Sequence, residues 1–186
     1  MKSISPSFLI NLIGFQLLWP AAVLGAARGS PQLAWWVLGI MVVLMVVAGT
    51  AWKRDLKMVV VGFVACALLE PVWLGSGLIK YTGTSSTWLA PGWIWALWGG
   101  FALSFFYCLA WLQRRPLLAA LFGGFGGGFS VMMGVHLGAA EAPLGEWRLM
   151  LVYGAVWAGI VPLFAALATL LDKSGGPLKR EVGNNG

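Results

Sequence analysis

Six long apolar segments, separated by short polar connections, constrain the fold of this chain more than any other feature. Each contains about 18–23 residues, and about 20 helical residues are needed to cross the ~30 Å hydrocarbon core of a bilayer. Only 10% of the 186 residues are charged, whereas a soluble domain usually carries about 25%. The chain has too little polar surface to coat a water-soluble globule, so we expect it to lie in a membrane.

The apolar segments are predicted to be helices rather than strands of a barrel. Barrel strands alternate apolar and polar residues, whereas these segments are apolar throughout. A continuous segment in lipid must pair its own backbone polar groups, as an α-helix does. The predicted fold class is therefore all-α, a polytopic membrane bundle of six transmembrane helices. The predicted spans are 8–25, 33–52, 58–79, 92–112, 117–139 and 149–171, which form one membrane domain over residues 1–172.

The two ends of the chain need separate interpretation. The first apolar segment could mimic a secretory signal, but Asn11, Gln16 and Pro20 interrupt it, so we expect a retained first helix. Residues 173–186 are polar and rich in glycine, which predicts a flexible cytoplasmic tail.

Lysine and arginine are distributed unevenly between the two sides of the predicted bundle. One side has three, and the other has nine: Lys2, Lys53, Arg54, Lys57, Arg114, Arg115, Lys173, Lys179 and Arg180. Basic residues concentrate in cytoplasmic loops, so both the N and C termini are predicted to be cytoplasmic. This pattern indicates the bacterial inner membrane, and the scattered positive charge does not predict a nucleic-acid partner.

Polar residues near the predicted midplane of the membrane are the candidate binding residues. Glu70 lies about 18 Å along its helix from Met58, and a carboxyl group at that depth is costly unless it is paired or protonated. Gln16, Ser104 and Ser130 are predicted at a similar depth and could form a polar cluster with Glu70. The cluster could bind a ligand or a proton. Alternatively, a protonated Glu70 could simply hydrogen-bond neighbouring helices together.

A second, weaker site is predicted at the outer ends of the helices, where Ser76, His136 and Tyr153 lie at similar depth. A serine between two glycines that faces a histidine would resemble the site of an intramembrane serine protease, but Leu74 stands where the rhomboid motif has its first glycine. A glycine-serine-glycine sequence at a helix end is ordinarily a helix terminator. No catalytic residue is therefore predicted.

Two further patterns limit the chemistry of the chain. It has one histidine, and its two aspartates lie at helix ends, so neither a metal site nor a cofactor is predicted. The stretch 123–128 is almost entirely glycine, which favours close packing of a neighbouring helix or a wall of a cavity without side chains.

Three stretches of sequence carry a resemblance to a known family. They run from Asn11 to Ala26, from Trp111 to Gly124 and from Gly134 to Ala139. They resemble the bacterial membrane family catalogued as domain of unknown function 2878, over most of residues 8–170. The family pattern has aspartate at the position of Glu70 and a basic residue at that of His136. It has asparagine-histidine where this chain has Phe106-Tyr107. The resemblance implies a role in lipid or membrane physiology.

These observations leave three functions open. The favoured one is a non-enzymatic component that binds lipid or a small hydrophobic molecule, or that acts as an accessory subunit. Its expected partners are membrane lipids and possible partner membrane subunits or further copies of this chain. The first alternative is a small proton-coupled transporter that uses Glu70, and the second is a hydrolase that uses Ser76 and His136.

Overall fold

The computed structural model describes residues 5–174, and within that range the chain is all-α with six helices, as predicted. The helices are α1 Pro6–Ala27, α2 Leu33–Val47, α3 Trp52–Gly75, α4 Gly92–Ser104, α5 Pro116–His136 and α6 Glu146–Ser174. A short 3-10 helix, Ala110–Leu112, lies between α4 and α5. Two strands of two residues each, β1 (Lys80–Tyr81) and β2 (Ala140–Glu141), pair antiparallel and join the loops that follow α3 and α5.

Four of the helices, α1, α3, α5 and α6, are long and apolar enough to cross a membrane. Large apolar side chains are exposed on the outer faces of the helices. Val47, Leu117 and Phe125, for example, are each more than 70% exposed. Such a surface would be unfavourable in water and is typical of a protein whose solvent is lipid. The helices are therefore those of a membrane protein.

The predicted segment 33–52 is helical only from Leu33 to Val47. Gly49, at a φ of 77°, adopts the left-handed conformation that ends helices, and its N–H bonds to the carbonyl of Val46. The chain then enters α3 at Trp52, six residues before the predicted start at residue 58.

The predicted segment 92–112 is not one continuous helix, because α4 ends at Ser104 and turns follow. Two side chains from distant elements satisfy backbone groups exposed by this break. Asn11 Oδ1 of α1 accepts a 3.3 Å hydrogen bond from the Cys108 N–H, and Gln113 Nε2 donates a 2.7 Å bond to the Phe105 carbonyl. Asn11 is fully buried at this position.

The predicted tail, residues 173–186, overlaps the end of α6, which runs to Ser174. Its remaining residues lie outside the described part of the chain, as do Lys2, Lys179 and Arg180 of the predicted charge distribution.

Glycines allow the close packing of α5 on α6. A Cβ at Gly127 would lie 2.7 Å from the Cβ of Trp157, and a Cβ at Gly154 would lie 2.8 Å from the carbonyl oxygen of Gly124. Neither distance is possible for real carbon atoms, so these positions require glycine. The α5–α6 pair packs beside a second group formed by α1 to α4, in which α3 packs on α4 and α1 on α2.

Polar contacts close the bundle at both ends. At one end, which we call the Arg54 end, Arg54 at the start of α3 bonds Asp172 at the end of α6 at 2.7 Å and Asp55 at 3.2 Å. The Tyr107 hydroxyl, after α4, donates a 2.6 Å hydrogen bond to Asp55 Oδ2. At the other end, the β1–β2 end, Lys80 and Glu141 form an exposed ion pair across the two strands.

Candidate functional site

A cavity of about 220 Å³ lies between α1, α4, α5 and α6 towards the β1–β2 end, and Glu70 of α3 forms part of its wall. Nine of its 22 lining residues are aromatic. Four of these are tryptophans: Trp19, Trp93, Trp98 and Trp157. Among the described residues that line the cavity, Glu70 is the only one with a carboxyl group, and none is a lysine, arginine or histidine. The site is thus an aromatic chamber with one carboxyl group.

The carboxyl group of Glu70 is 1% exposed and accepts one hydrogen bond on each oxygen. The Tyr81 hydroxyl donates to Oε2 at 2.7 Å, and the Trp98 indole Nε1–H donates to Oε1 at 2.9 Å. Both donors are neutral, and in the described residues no basic side chain forms an ion pair with Glu70. The site therefore supplies hydrogen bonds to the carboxyl group but no positive charge.

Tyr81 belongs to strand β1, whose pairing with β2 positions it against Glu70. Tyr81 pairs with Ala140 of β2, is 3% exposed and packs edge-on against Trp93, with ring centroids 5.3 Å apart. Burial, followed by the neighbouring Glu70 carboxyl and Tyr153, raises the pKa of the Tyr81 hydroxyl well above its usual value. Tyr81 thus remains a neutral hydrogen-bond donor across the physiological pH range.

Two lining residues on α5 are also exposed at the outer surface, which we take as the opening of the cavity. Phe122 is 40% exposed and Gly126 is exposed, although both also line the cavity from α5. On the α1 side the half-buried Trp19 donates a 2.7 Å hydrogen bond from Nε1 to Ser130 Oγ of α5. A Cβ at Gly126 would have no atom within 4 Å, so this glycine leaves space at the opening.

The structure brings two of the four predicted midplane residues to the cavity. Glu70 and Ser130 both line it. Gln16 is exposed on the outer side of α1 and does not line the cavity. Ser104 is fully buried and donates a 2.8 Å hydrogen bond to the Gly100 carbonyl of its own helix. The four side chains therefore do not form one cluster.

The three residues of the predicted outer site, Ser76, His136 and Tyr153, likewise have different surroundings. Ser76 Oγ donates to the Trp73 carbonyl at 3.0 Å. His136 Nδ1 lies 2.9 Å from the Met132 carbonyl, and its Nε2 lies 3.9 Å from Glu146. The closest polar partner of each of these two side chains is thus a backbone carbonyl of its own helix. Tyr153 instead lines the aromatic cavity, so the structure places it with Glu70.

Sequence reasoning missed Tyr81 and Trp98, the two residues that bond Glu70. Tyr81 follows the third predicted span, and its burial depends on pairing with the distant residue Ala140. No local sequence pattern indicates these contacts. The chain has only three tyrosines, and two of them, Tyr81 and Tyr107, donate hydrogen bonds to buried carboxyl groups.

Within residues 5–174, no three histidine, cysteine, aspartate or glutamate side chains come close enough together to hold a metal ion. Cys66 and Cys108 are both buried as free thiols.

Comparison with known proteins gives one match. No curated protein and no solved structure matches the chain. The sequence model of the family described as Protein of unknown function (DUF2878) matches residues 8–163, which is most of the chain. This match confirms the resemblance seen in the sequence, and the chain accordingly belongs to the DUF2878 family.

Proposed function

We propose that this chain is a non-enzymatic, six-span protein of the bacterial inner membrane that binds a small, largely apolar molecule in the cavity beside Glu70. The observation that carries the proposal is the cavity itself. It has a volume of about 220 Å³, its wall is mainly aromatic and aliphatic, and it holds a single carboxyl group. An apolar chamber with few polar groups is the usual form of a small-molecule site.

The proposed topology places the Arg54 end in the cytoplasm. This end carries Lys53, Arg54 and Lys57 of α3, together with Arg114 and Arg115 before α5. The two shorter helices, α2 and α4, are about 22 Å and 20 Å long and would need their flanking turns to complete a crossing of ~30 Å.

Binding fits the site better than hydrolysis does. Ser76 and His136, the residues of the hydrolase alternative, bond different partners. The lining residues contain no histidine or cysteine, and the one serine among them, Ser130, accepts a hydrogen bond from Trp19. A serine nucleophile needs an adjacent base to remove its proton, and no histidine or lysine borders this cavity.

The proposal can be tested by filling the cavity. Gly126→Phe adds a ring at the opening, where a Cβ meets no atom within 4 Å. Gly159→Phe is the matched control. Gly159 is an exposed glycine of α6 with equally open space, and it does not line the cavity. Neither substitution should perturb the fold.

The probe is 3,3-dimethyl-1-butanol, a small neutral molecule, added to detergent-solubilised full-length protein. Its binding is measured by magnetisation transfer from protein to ligand in NMR. We expect transfer from the wild-type and Gly159→Phe proteins and its loss in Gly126→Phe. Equal transfer from all three proteins would place the probe in the detergent or on the surface and would contradict the proposal.

A second candidate function is proton-coupled transport. One observation favours it: Glu70 also borders a smaller cavity of about 130 Å³, which includes Pro71 and Trp88. A carboxyl group between two cavities could exchange a proton or ligand between them. In proteoliposomes with an imposed pH gradient, a transporter would move protons with its substrate, and Glu70→Gln would abolish that flux.

The proposed partners are membrane lipids, a partner membrane subunit or further copies of the chain. Mass spectrometry of protein gently extracted from its own membrane would identify them. A lipid or subunit retained at fixed stoichiometry would support an accessory role.

A further inference from the structure

We propose that the ligand of the aromatic cavity is an organic ammonium compound, whose cationic group binds between the Glu70 carboxylate and the surrounding aromatic rings. This inference rests on the proposed function, since it names the chemical class of the molecule that the cavity binds.

The charge of the cavity wall favours a cationic ligand. Glu70 is 1% exposed, and the described residues of the wall include no basic side chain that could neutralise it. Tyr81 and Trp98 donate hydrogen bonds to the carboxyl group but carry no charge. A buried carboxylate is costly without a positive partner, and a cationic ligand would supply that partner.

The wall of the cavity is also rich in aromatic rings. Nine of the 22 lining residues are aromatic, including four tryptophans. The face of an indole ring attracts cations more strongly than that of phenylalanine or tyrosine. Chambers of aromatic rings bind quaternary ammonium groups through this attraction. An uncharged apolar ligand would be held equally well by aliphatic side chains, so the aromatic composition favours a cation.

Trp93 also lines the cavity and is 4% exposed. Its indole N–H is buried and has no acceptor among the described residues. Buried donors are normally satisfied, and a ligand with an oxygen atom close to its ammonium group could accept this hydrogen bond. Such an oxygen would be a hydroxyl or an ester oxygen.

The size and position of the cavity are consistent with an ammonium group of two possible origins. A volume of about 220 Å³ can hold a small amine or a lipid headgroup but not a whole phospholipid. The opening near Phe122 and Gly126 lies on a side that we propose faces lipid. A headgroup could enter there with its acyl chains remaining in the bilayer.

The test compares two compounds that differ only in charge. Choline and 3,3-dimethyl-1-butanol have the same shape and the same hydroxyl group, with a quaternary nitrogen replaced by carbon. Calorimetry on the full-length protein in detergent measures their affinities for the wild type and Glu70→Gln. Glutamine keeps an oxygen that can accept from Trp98 or Tyr81 but removes the negative charge.

We expect choline to bind the wild type roughly tenfold or more tightly than its neutral analogue. Glu70→Gln should reduce this preference to the part that the aromatic rings supply, without removing binding of the neutral compound. Equal or tighter binding of the neutral compound by the wild type would overturn the ammonium inference and leave the proposed apolar site intact. Binding of neither compound would overturn both proposals. The wild-type comparison alone is decisive should Glu70→Gln fail to fold.

A second arm distinguishes the two origins of the ammonium group. Choline binding is measured in nanodiscs of phosphatidylglycerol, with and without phosphatidylcholine. Competition by phosphatidylcholine identifies a lipid headgroup as the ligand, whereas unchanged choline binding identifies a free ammonium compound. Absence of choline binding in both kinds of disc would contradict the inference.

Discussion

The Tyr81 hydroxyl donates a 2.7 Å hydrogen bond to Oε2 of Glu70. A residue that follows α3 in the chain therefore folds back to contact a buried side chain of that same helix. Tyr81 reaches this position because β1 pairs with β2, which follows α5. The bond therefore connects the carboxyl group of α3 to the paired strands β1 and β2, and through β2 to the loop between α5 and α6. A substitution of Glu70 should therefore affect the position of β1 and its pairing with β2.

The first prediction concerns this bond. Tyr81→Phe should destabilise the protein by about 1–3 kcal/mol, because Glu70 loses one of two donors in a buried site. The same substitution made in a Glu70→Gln background should cost less, since a hydrogen bond to a neutral amide is weaker than one to a carboxylate. Unfolding by denaturant in mixed micelles measures the four free energies of this double-mutant cycle. Additive effects of the two substitutions would show that the hydroxyl and the carboxyl group are not energetically coupled.

The second prediction compares two aspartates at the Arg54 end. Asp55 is 7% exposed and accepts a 2.6 Å bond from Tyr107, whereas the side chain of Asp172 is 58% exposed. Both pair with Arg54. Asp55→Asn should therefore destabilise the protein by about 1–3 kcal/mol and Asp172→Asn by less than about 1 kcal/mol. Thermal unfolding in detergent, followed by tryptophan fluorescence, measures both. An equal loss for the two variants would mean that burial does not set the strength of this network.

The number of helices could be predicted from the sequence, because six apolar segments leave a strong compositional signal. The side of each helix that faces the interior of the bundle could not be predicted. Gln16 and Trp19 lie less than one turn apart in α1, and the polar residue is exposed whereas the apolar one borders the cavity. In lipid, apolar residues cover both faces of a helix, so the pattern of polarity no longer identifies the inner face.

The break after α4 was unpredictable for a different reason. Residues 105–109 are as apolar as the helix before them. The chain leaves the helical conformation there, and Asn11 and Gln113 bond the freed backbone groups. These contacts join positions that are far apart in sequence, and no local sequence pattern predicts them. The same holds for Tyr81, whose place over Glu70 depends on Ala140.

The third prediction compares alanine substitutions at two adjacent glycines of α5, Gly126 and Gly127. Gly127→Ala should weaken the α5–α6 packing, because the new Cβ would lie 2.7 Å from the Cβ of Trp157. Gly126→Ala should be neutral or slightly stabilising, since its Cβ meets open space and alanine favours helix. The expected difference is about 1–3 kcal/mol in the free energy of unfolding. Equal stability of the two variants would contradict the close approach of the helices.

The fourth prediction tests whether the short helix α4 crosses the membrane. The two native cysteines, Cys66 and Cys108, are 0% and 7% exposed and should react little with a membrane-impermeant maleimide. Ser85 and Arg114 are exposed on either side of α4 and its following turns. With the proposed topology, Ser85→Cys should be labelled in intact spheroplasts. Arg114→Cys should be labelled only after the membrane is permeabilised.

The same experiment applies to α2, the other helix that is shorter than the bilayer. Arg28 and Lys53 are exposed before and after it, so Arg28→Cys should react from outside and Lys53→Cys only after permeabilisation. Labelling of both members of a pair from one side would show that the intervening helix lies within the membrane without crossing it. If α2 and α4 both failed to cross, the four long helices alone would span the bilayer, and both ends of the described chain would still lie on one side. The pairs Arg28/Lys53 and Ser85/Arg114 therefore decide between six and four spans, which the position of the termini cannot do.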